Sequence, residues 1–138
     1  MSTPRHQARE AALRSLYFWE IGQTDPARAL ETYFEVHQPD APPAVREFAQ
    51  TLVLGTAADV ASLDVLIQKH SEHWRLDRLA VIDRLILRLG AWELQHAGDT
   101  PHAVILNEAL ELARTFSTDD AVRFVNGVLD SIRKSLSV

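Results

Sequence analysis

The sequence predicts an all-α fold, a compact helical bundle of six to seven helices, and three observations carry that expectation. Apolar residues recur at the 3.6-residue helical period along almost the whole chain, and no segment shows the two-residue alternation of a strand. The six prolines, at 4, 26, 39, 42, 43 and 101, fall between apolar stretches, where they punctuate helices. A chain of 138 residues, 46% apolar and 24% charged with mean hydropathy −0.11, supplies one core and little length for a second domain. Residues 1–138 therefore read as a single domain.

Thr3 and Pro4 give an N-cap and first-turn pair, and an Ala- and Leu-rich helix runs from there to about Ile21, broken by Gly22 and Thr24. Asp25 and Pro26 repeat the start signal for a short helix through Leu30, Tyr33, Phe34 and His37, which gives way to a loop over Gln38–Pro43. From Ala44 the set Val45, Phe48, Leu52, Val53, Thr56, Val60, Leu63 and Ile67 predicts one long third helix with a possible bend at Gly55. Asp77 opens a segment that carries Leu79, Ile82, Leu85, Ile86, Leu89 and Trp92 to Gly98, a candidate C′ residue. Thr100 and Pro101 restart a helix that stops near Phe116. Ser117 with Asp120 then looks like the cap and acidic first turn of the last helix, whose stripe is Ala121, Phe124, Val125, Val128, Leu129 and Ile132.

Several kinds of chemistry are excluded or unsupported. There is no cysteine, which removes disulfides, thiolate catalysis and Cys-based metal sites. No phosphate-binding glycine-rich loop, H-E-x-x-H or G-x-S-x-G motif is present, so the sequence gives no catalytic residue and points away from an enzyme. His70 and His73 stand three apart, as metal ligands on one helix face do, but lack a matching carboxylate and read as solvated histidines; no metal or other cofactor is expected. Glu108 and Glu111 read as exposed helix-face acids. Asn126 and Gly127 interrupt an apolar helix, and the simplest account is close helix packing over Gly127 with Asn126 bonding a neighbouring backbone group. The N-terminus has no apolar signal region and no apolar run approaches a membrane span, so the expected compartment is cytoplasmic and no membrane partner is expected.

Charge is segregated within the net −5. Residues 1–14 hold Arg5, Arg9 and Arg14 against Glu10, net +2, which leaves eleven cations against eighteen acids, net −7, over 15–138. On a helical wheel Ala8, Ala11, Ala12, Leu16 and Trp19 form the core side of the first helix, with His6, Arg9, Glu10, Leu13, Arg14 and Tyr17 across from it. Arginines clamp phosphates and a tyrosine ring stacks an unpaired base, the chemistry of single-stranded RNA recognition; three arginines are also an ordinary solvated face.

Four segments are more specific together than apart: Ala8-Arg9-Glu10 to Leu16-Tyr17; Asp83-Arg84-Leu85-Ile86-Leu87-Arg88 to Trp92-Glu93-Leu94; Pro101 with Asn107-Glu108-Ala109-Leu110-Glu111-Leu112-Ala113; and Phe124-Val125-Asn126-Gly127-Val128-Leu129-Asp130. In this order and spacing the chain resembles the bacterial NusB family of transcription antitermination factors from end to end. The resemblance implies an all-helical fold of two packed subdomains and a non-enzymatic role. It implies a small-subunit ribosomal protein partner, NusE, joint binding of boxA RNA in nascent transcripts, and assembly of an antitermination complex on RNA polymerase. By the same resemblance RNA contacts fall on Arg5, His6, Gln7, Arg9 and Tyr17, and near the last helix on Phe116, Asp120, Arg123 and Phe124. The ribosomal-protein interface falls on Asp83, with Arg84, Leu87 and Arg88 on or near the same helix. His6 and Gln7 stand where family members often carry arginines, which implies weak binding of RNA by the chain alone. Two alternatives accompany this reading. One is the RNA-binding module attached to rRNA cytosine methyltransferases, which continue into a cofactor-binding α/β domain with catalytic cysteines that this sequence does not contain. The other is a homodimer that masks its RNA face.

Overall fold

The computed structural model describes residues 3–136. Every regular element among them is helical: α1 (Pro4–Gly22), α2 (Pro26–His37), α3 (Pro43–Ala58), α4 (Val60–His70), a 3₁₀ turn (Leu76–Arg78), α5 (Val81–His96), α6 (His102–Phe116) and α7 (Asp119–Leu136). The all-α expectation and the upper helix count both hold. No single helix among these residues is long and apolar enough to cross a membrane.

The chain divides between Ala58 and Asp59 into two compact units, in keeping with two subdomains. In the first, α1 packs on α2 and α3. Its small residues Ala8, Ala11 and Ala12 let neighbouring helices approach while Leu16, Phe34, Leu52 and Val53 fill the space between them. In the second, α5 is the central element, packed against α4, α6 and α7, and its Leu85, Ile86 and Leu89 are buried with Ile67, Ile105, Leu112, Val125 and Leu129.

The start signals at Thr3 and Asp25 work as caps: Thr3 Oγ1 accepts from the His6 N–H (3.0 Å) and Asp25 Oδ2 from the Arg28 N–H (3.2 Å). Other expectations are corrected. The long third helix is two, because Asp59 leaves the helical region (φ −101°, ψ 13°) and its carbonyl instead begins α4, accepting from the Leu63 N–H (2.9 Å) and Ser62 Oγ (3.0 Å). Gly55, the expected site of the bend, sits inside α3. Gly98 is not a left-handed cap; among the described residues positive φ occurs at Gln23 (φ 52°), where α1 ends with the Gln23 N–H bonded to the Trp19 carbonyl (2.9 Å). Thr118, not Ser117, caps α7, its Oγ1 accepting from the Ala121 N–H (3.1 Å).

The packing reading of Gly127 is also overturned. A Cβ at Gly127 would meet nothing within 4 Å, and Asn126 is exposed. Close approach occurs at Gly90 instead, where a Cβ would lie 2.7 Å from Leu129 Cδ1. The glycine on α5 leaves room for the fully buried Leu129 of α7 to seat there.

Candidate nucleic-acid interface

The N-terminal turns of α1 carry their cations on an aromatic ring. Arg5 is exposed with its guanidinium 4.5 Å from the Phe48 ring centroid, and Arg9 lies 5.3 Å from the same centroid. Arg9 is only 3% exposed, so it belongs to the interior and not to the open polar face the wheel assigned it. Leu13 is buried as well, whereas Trp19 is half-exposed. Arg9 and Leu13 are buried because α1 is covered by both α2 and α3, which widens its buried stripe beyond the alanine face, whereas Trp19, near the end of the helix, stays half-exposed. Phe48 thus carries both cations, and Arg5, the exposed one, is the guanidinium that a phosphate can reach. His6 and Gln7 are half-buried, and His6 Nε2 lies 3.0 Å from Glu10 Oε1.

Tyr17 is exposed, in edge-to-face contact with Phe18 (6.4 Å, 78°), and with it borders an apolar groove of about 460 Å³ between α1 and α2 that also includes Ile21, Tyr33, Val36 and His37. Burial pushes the Tyr33 phenol above its ordinary value, against the pull of the Arg14 charge and a hydrogen bond donated by Gln38 Nε2 (3.2 Å); Glu10 adds to the rise.

In the second unit, Asp120 and Arg123 form an ion pair in the first turns of α7, with side chains 90% and 75% exposed. Phe124 is half-buried and meets the Trp74 ring edge-to-face (5.9 Å, 72°). Both rings, Arg123, His73 and Gly127 line a groove of about 320 Å³, and His70 is held beside it by Nδ1 against Ser131 Oγ (2.8 Å). Phe116, half-buried at the end of α6, does not line this groove. Trp74 is the residue sequence reasoning missed: it lies outside every helical stripe, and only its company of histidines and arginine in His70–Arg75 marked it.

Of the residues assigned to a protein interface, Asp83 and Arg84 are half-buried at the start of α5. Asp83 Oδ1 accepts from Ser117 Oγ (2.6 Å), and Arg84 Nη1 donates to the Leu76 carbonyl (3.5 Å). Leu87 and Arg88 offer no surface to a partner. Leu87 is fully buried, and Arg88 is a core cation whose Nε and Nη2 donate to Asp64 Oδ1 and Oδ2 at 2.7 and 2.8 Å. Of the two acids read as exposed on α6, Glu111 is exposed and joined to Arg114 (2.6 Å), whereas Glu108 is half-buried.

The NusB family model matches residues 6–134. The chain is 44% identical over 132 residues to the transcription antitermination protein NusB of Sorangium cellulosum, covering 96% of this chain and 93% of that protein. It is 41% identical over 132 residues to that of Solibacter usitatus, covering 96% and 90%. Among solved structures it is similar to T. maritima NusB (TM-score 0.87, 35% identity, 97% and 93% of the two chains). It is also similar to a chain from a complex of antitermination factors NusB and NusE with dsRNA (TM-score 0.88, 28% identity, 98% and 99%). A family match over nearly the full length, joined to two helical units with the arginines of α1 and the aromatic groove of α7, establishes that this chain belongs to the NusB family of transcription antitermination proteins.

Proposed function

We propose that this chain is a transcription antitermination factor that binds boxA RNA of nascent ribosomal RNA transcripts together with a NusE-type small-subunit ribosomal protein, and so helps assemble the antitermination complex on RNA polymerase. The mechanism is assembly, in the cytoplasm, with no bond made or broken. The observation that carries the reading is the shelf of α1, where the exposed Arg5 and the buried Arg9 lie over one phenylalanine in a stretch, residues 1–14, that is net +2 within an acidic chain. A relative of this fold solved with NusE and dsRNA supports it.

Arg5, His6 and Gln7 are the phosphate and ribose contacts in this reading, Tyr17 packs at the junction of RNA and protein, and Asp120, Arg123, Phe124 and Phe116 are RNA contacts of the second unit. Arg9 acts from below, holding the ring on which Arg5 rests. Asp83 and Arg84 meet the ribosomal protein, whose basic surface suits the net −7 of residues 15–138; Leu87 and Arg88 set the position of that helix from inside.

A gel-shift titration with boxA RNA, chain alone and then with the ribosomal protein, tests this. Binding that is weak alone and cooperative with both is the expected result. Arg5→Ala then weakens the ternary complex several-fold and lowers the slope of log affinity against log salt by about 1. No shift under either condition overturns the reading.

A further inference from the structure

Apart from Tyr17 at its edge, the groove between α1 and α2 plays no part in the RNA surface proposed above. Arg5 meets Phe48 of α3, whereas Phe18 and Ile21 stand on the other side of α1, against α2. Of the nine large apolar side chains exposed among the described residues, four line this one groove: Tyr17, and then Phe18, Ile21 and Val36, which are 53, 57 and 67% exposed. Single exposed apolar residues are ordinary, but a contiguous patch rich in aromatic rings marks a surface that another molecule covers. Its floor is built in advance. Ala29 and Tyr33 are buried, and the Tyr33 ring is fixed edge-to-face on Phe34 (5.5 Å, 73°), against the His37 ring (5.2 Å) and by the bond from Gln38 Nε2 (3.2 Å). A groove this well set needs little ordering when it is filled.

Charge and length say what fits. Glu31 and Glu35, both exposed and one turn apart, run along the outer edge of the groove beside Thr32 and Val36. Residues 15–37 as a whole carry Glu20, Asp25, Glu31 and Glu35 against Arg28, net −3. That charge disfavours an RNA backbone and a second copy of the same face, and it attracts a cationic partner. The α2 residues that line the groove, from Arg28 to His37, extend roughly 14 Å at 1.5 Å per residue, about two and a half helical turns. We propose that this groove docks a basic amphipathic helix of a protein partner. Apolar residues at i, i+4 and i+7 of that helix enter between Phe18, Ile21 and Val36 over Tyr33, and lysines or arginines on its flank pair with Glu31 and Glu35. A partner held there leaves Arg5 open, so the inference goes beyond the RNA-binding reading and does not depend on it.

The test titrates the full chain into a fluorescently labelled synthetic helix of about five turns, with leucine at i, i+4 and i+7 and lysine on both flanks, and follows anisotropy. One control peptide has the same composition in an order that gives no apolar face, and another has glutamate in place of lysine. The lysine helix alone is expected to bind, more weakly as salt rises. Phe18→Ala combined with Val36→Ala is expected to lower its affinity on the order of tenfold. Glu31→Lys combined with Glu35→Lys is expected to reverse the preference in favour of the glutamate peptide, a switch that misfolding does not produce. Both double variants are expected to keep wild-type affinity for boxA RNA in the presence of the ribosomal protein, while Arg5→Ala does not. Equal binding of all three peptides, or binding of none, overturns the docking site. Displacement of the lysine helix by the ribosomal protein or by RNA also overturns it, by assigning the groove to that ligand. So does self-association of the wild type in sedimentation that Phe18→Ala with Val36→Ala abolishes, by assigning it to a second copy. Unchanged RNA binding in Arg5→Ala counts against the RNA-binding reading alone.

Discussion

The arginines of α1 and those of α7 are the same residue type put to different uses, and burial separates them. At α1, Arg9 is withdrawn from solvent against Phe48 and has become part of the core of the first unit, while Arg5 rests on the outer side of the same shelf. At α7, Arg123 stands in solvent with an acid one turn away. A buried guanidinium is committed to its partners because exposing or orphaning it costs several kcal/mol, whereas an exposed ion pair is worth about 0–1 kcal/mol and is replaceable. An arginine in a motif is therefore evidence of contact with a ligand only after its burial is known.

The largest expected effect comes from the buried end of this comparison. Arg88→Ala removes a bidentate partner of Asp64 and leaves a part-buried carboxylate and a cavity, so it is expected to cost about 3 kcal/mol in urea denaturation. Arg123→Ala is expected to change stability by less than about 0.5 kcal/mol while weakening RNA binding. Equal stability losses in the two variants would break the distinction between committed and replaceable arginines.

The two helical glycines make the same contrast in packing. Gly90→Ala drives a methyl into Leu129, and overpacking of about 1–3 kcal/mol outweighs the roughly 1 kcal/mol that alanine gains in helix propensity; a net loss of about 1 kcal/mol is expected. Gly127→Ala meets no obstacle and is expected to gain up to about 1 kcal/mol. Thermal melts of the pair check the opposite signs. Two stabilising results would mean that Leu129 moves aside without cost.

What the sequence made legible follows from the range of the interaction concerned. Helix class and the caps at Thr3 and Asp25 depend on residues within a turn of each other, and the sequence carries them directly. The break at Asp59 was hidden because apolar periodicity continues across it, and the split into two units is decided by contacts distant in sequence. Arg9 and Arg88 look like surface residues until Phe48 and Asp64, 39 and 24 positions away, are brought to them. Gly90 and Gly127 are indistinguishable in sequence, since only the neighbouring helix tells which of them is crowded. At the candidate site, residue types pointed to Arg123 and Phe124, but Trp74 joins them only through the fold.

The smallest expected effect sharpens the comparison within α7 itself. Near its other end the same Asp-to-Arg spacing recurs at Asp130 and Arg133 (2.8 Å), with Lys134 added at 3.2 Å, and there both side chains of the Asp–Arg pair are only 33% exposed. Hydrogen bonds from Arg133 and then Lys134 hold the Asp130 carboxyl below its ordinary range, against a small opposing push from desolvation. A carboxyl whose folded value is depressed stabilises the fold above the unfolded value, near 3.9, and loses that contribution as pH falls toward the folded value. Wild type should therefore exceed Asp130→Asn in melting temperature at pH 7 by a small margin that narrows as the pH falls below about 4. A margin that stays constant over that range would show that the more enclosed pair on α7 is as loosely held as the one at Arg123, and that enclosure at this level does not commit a cation.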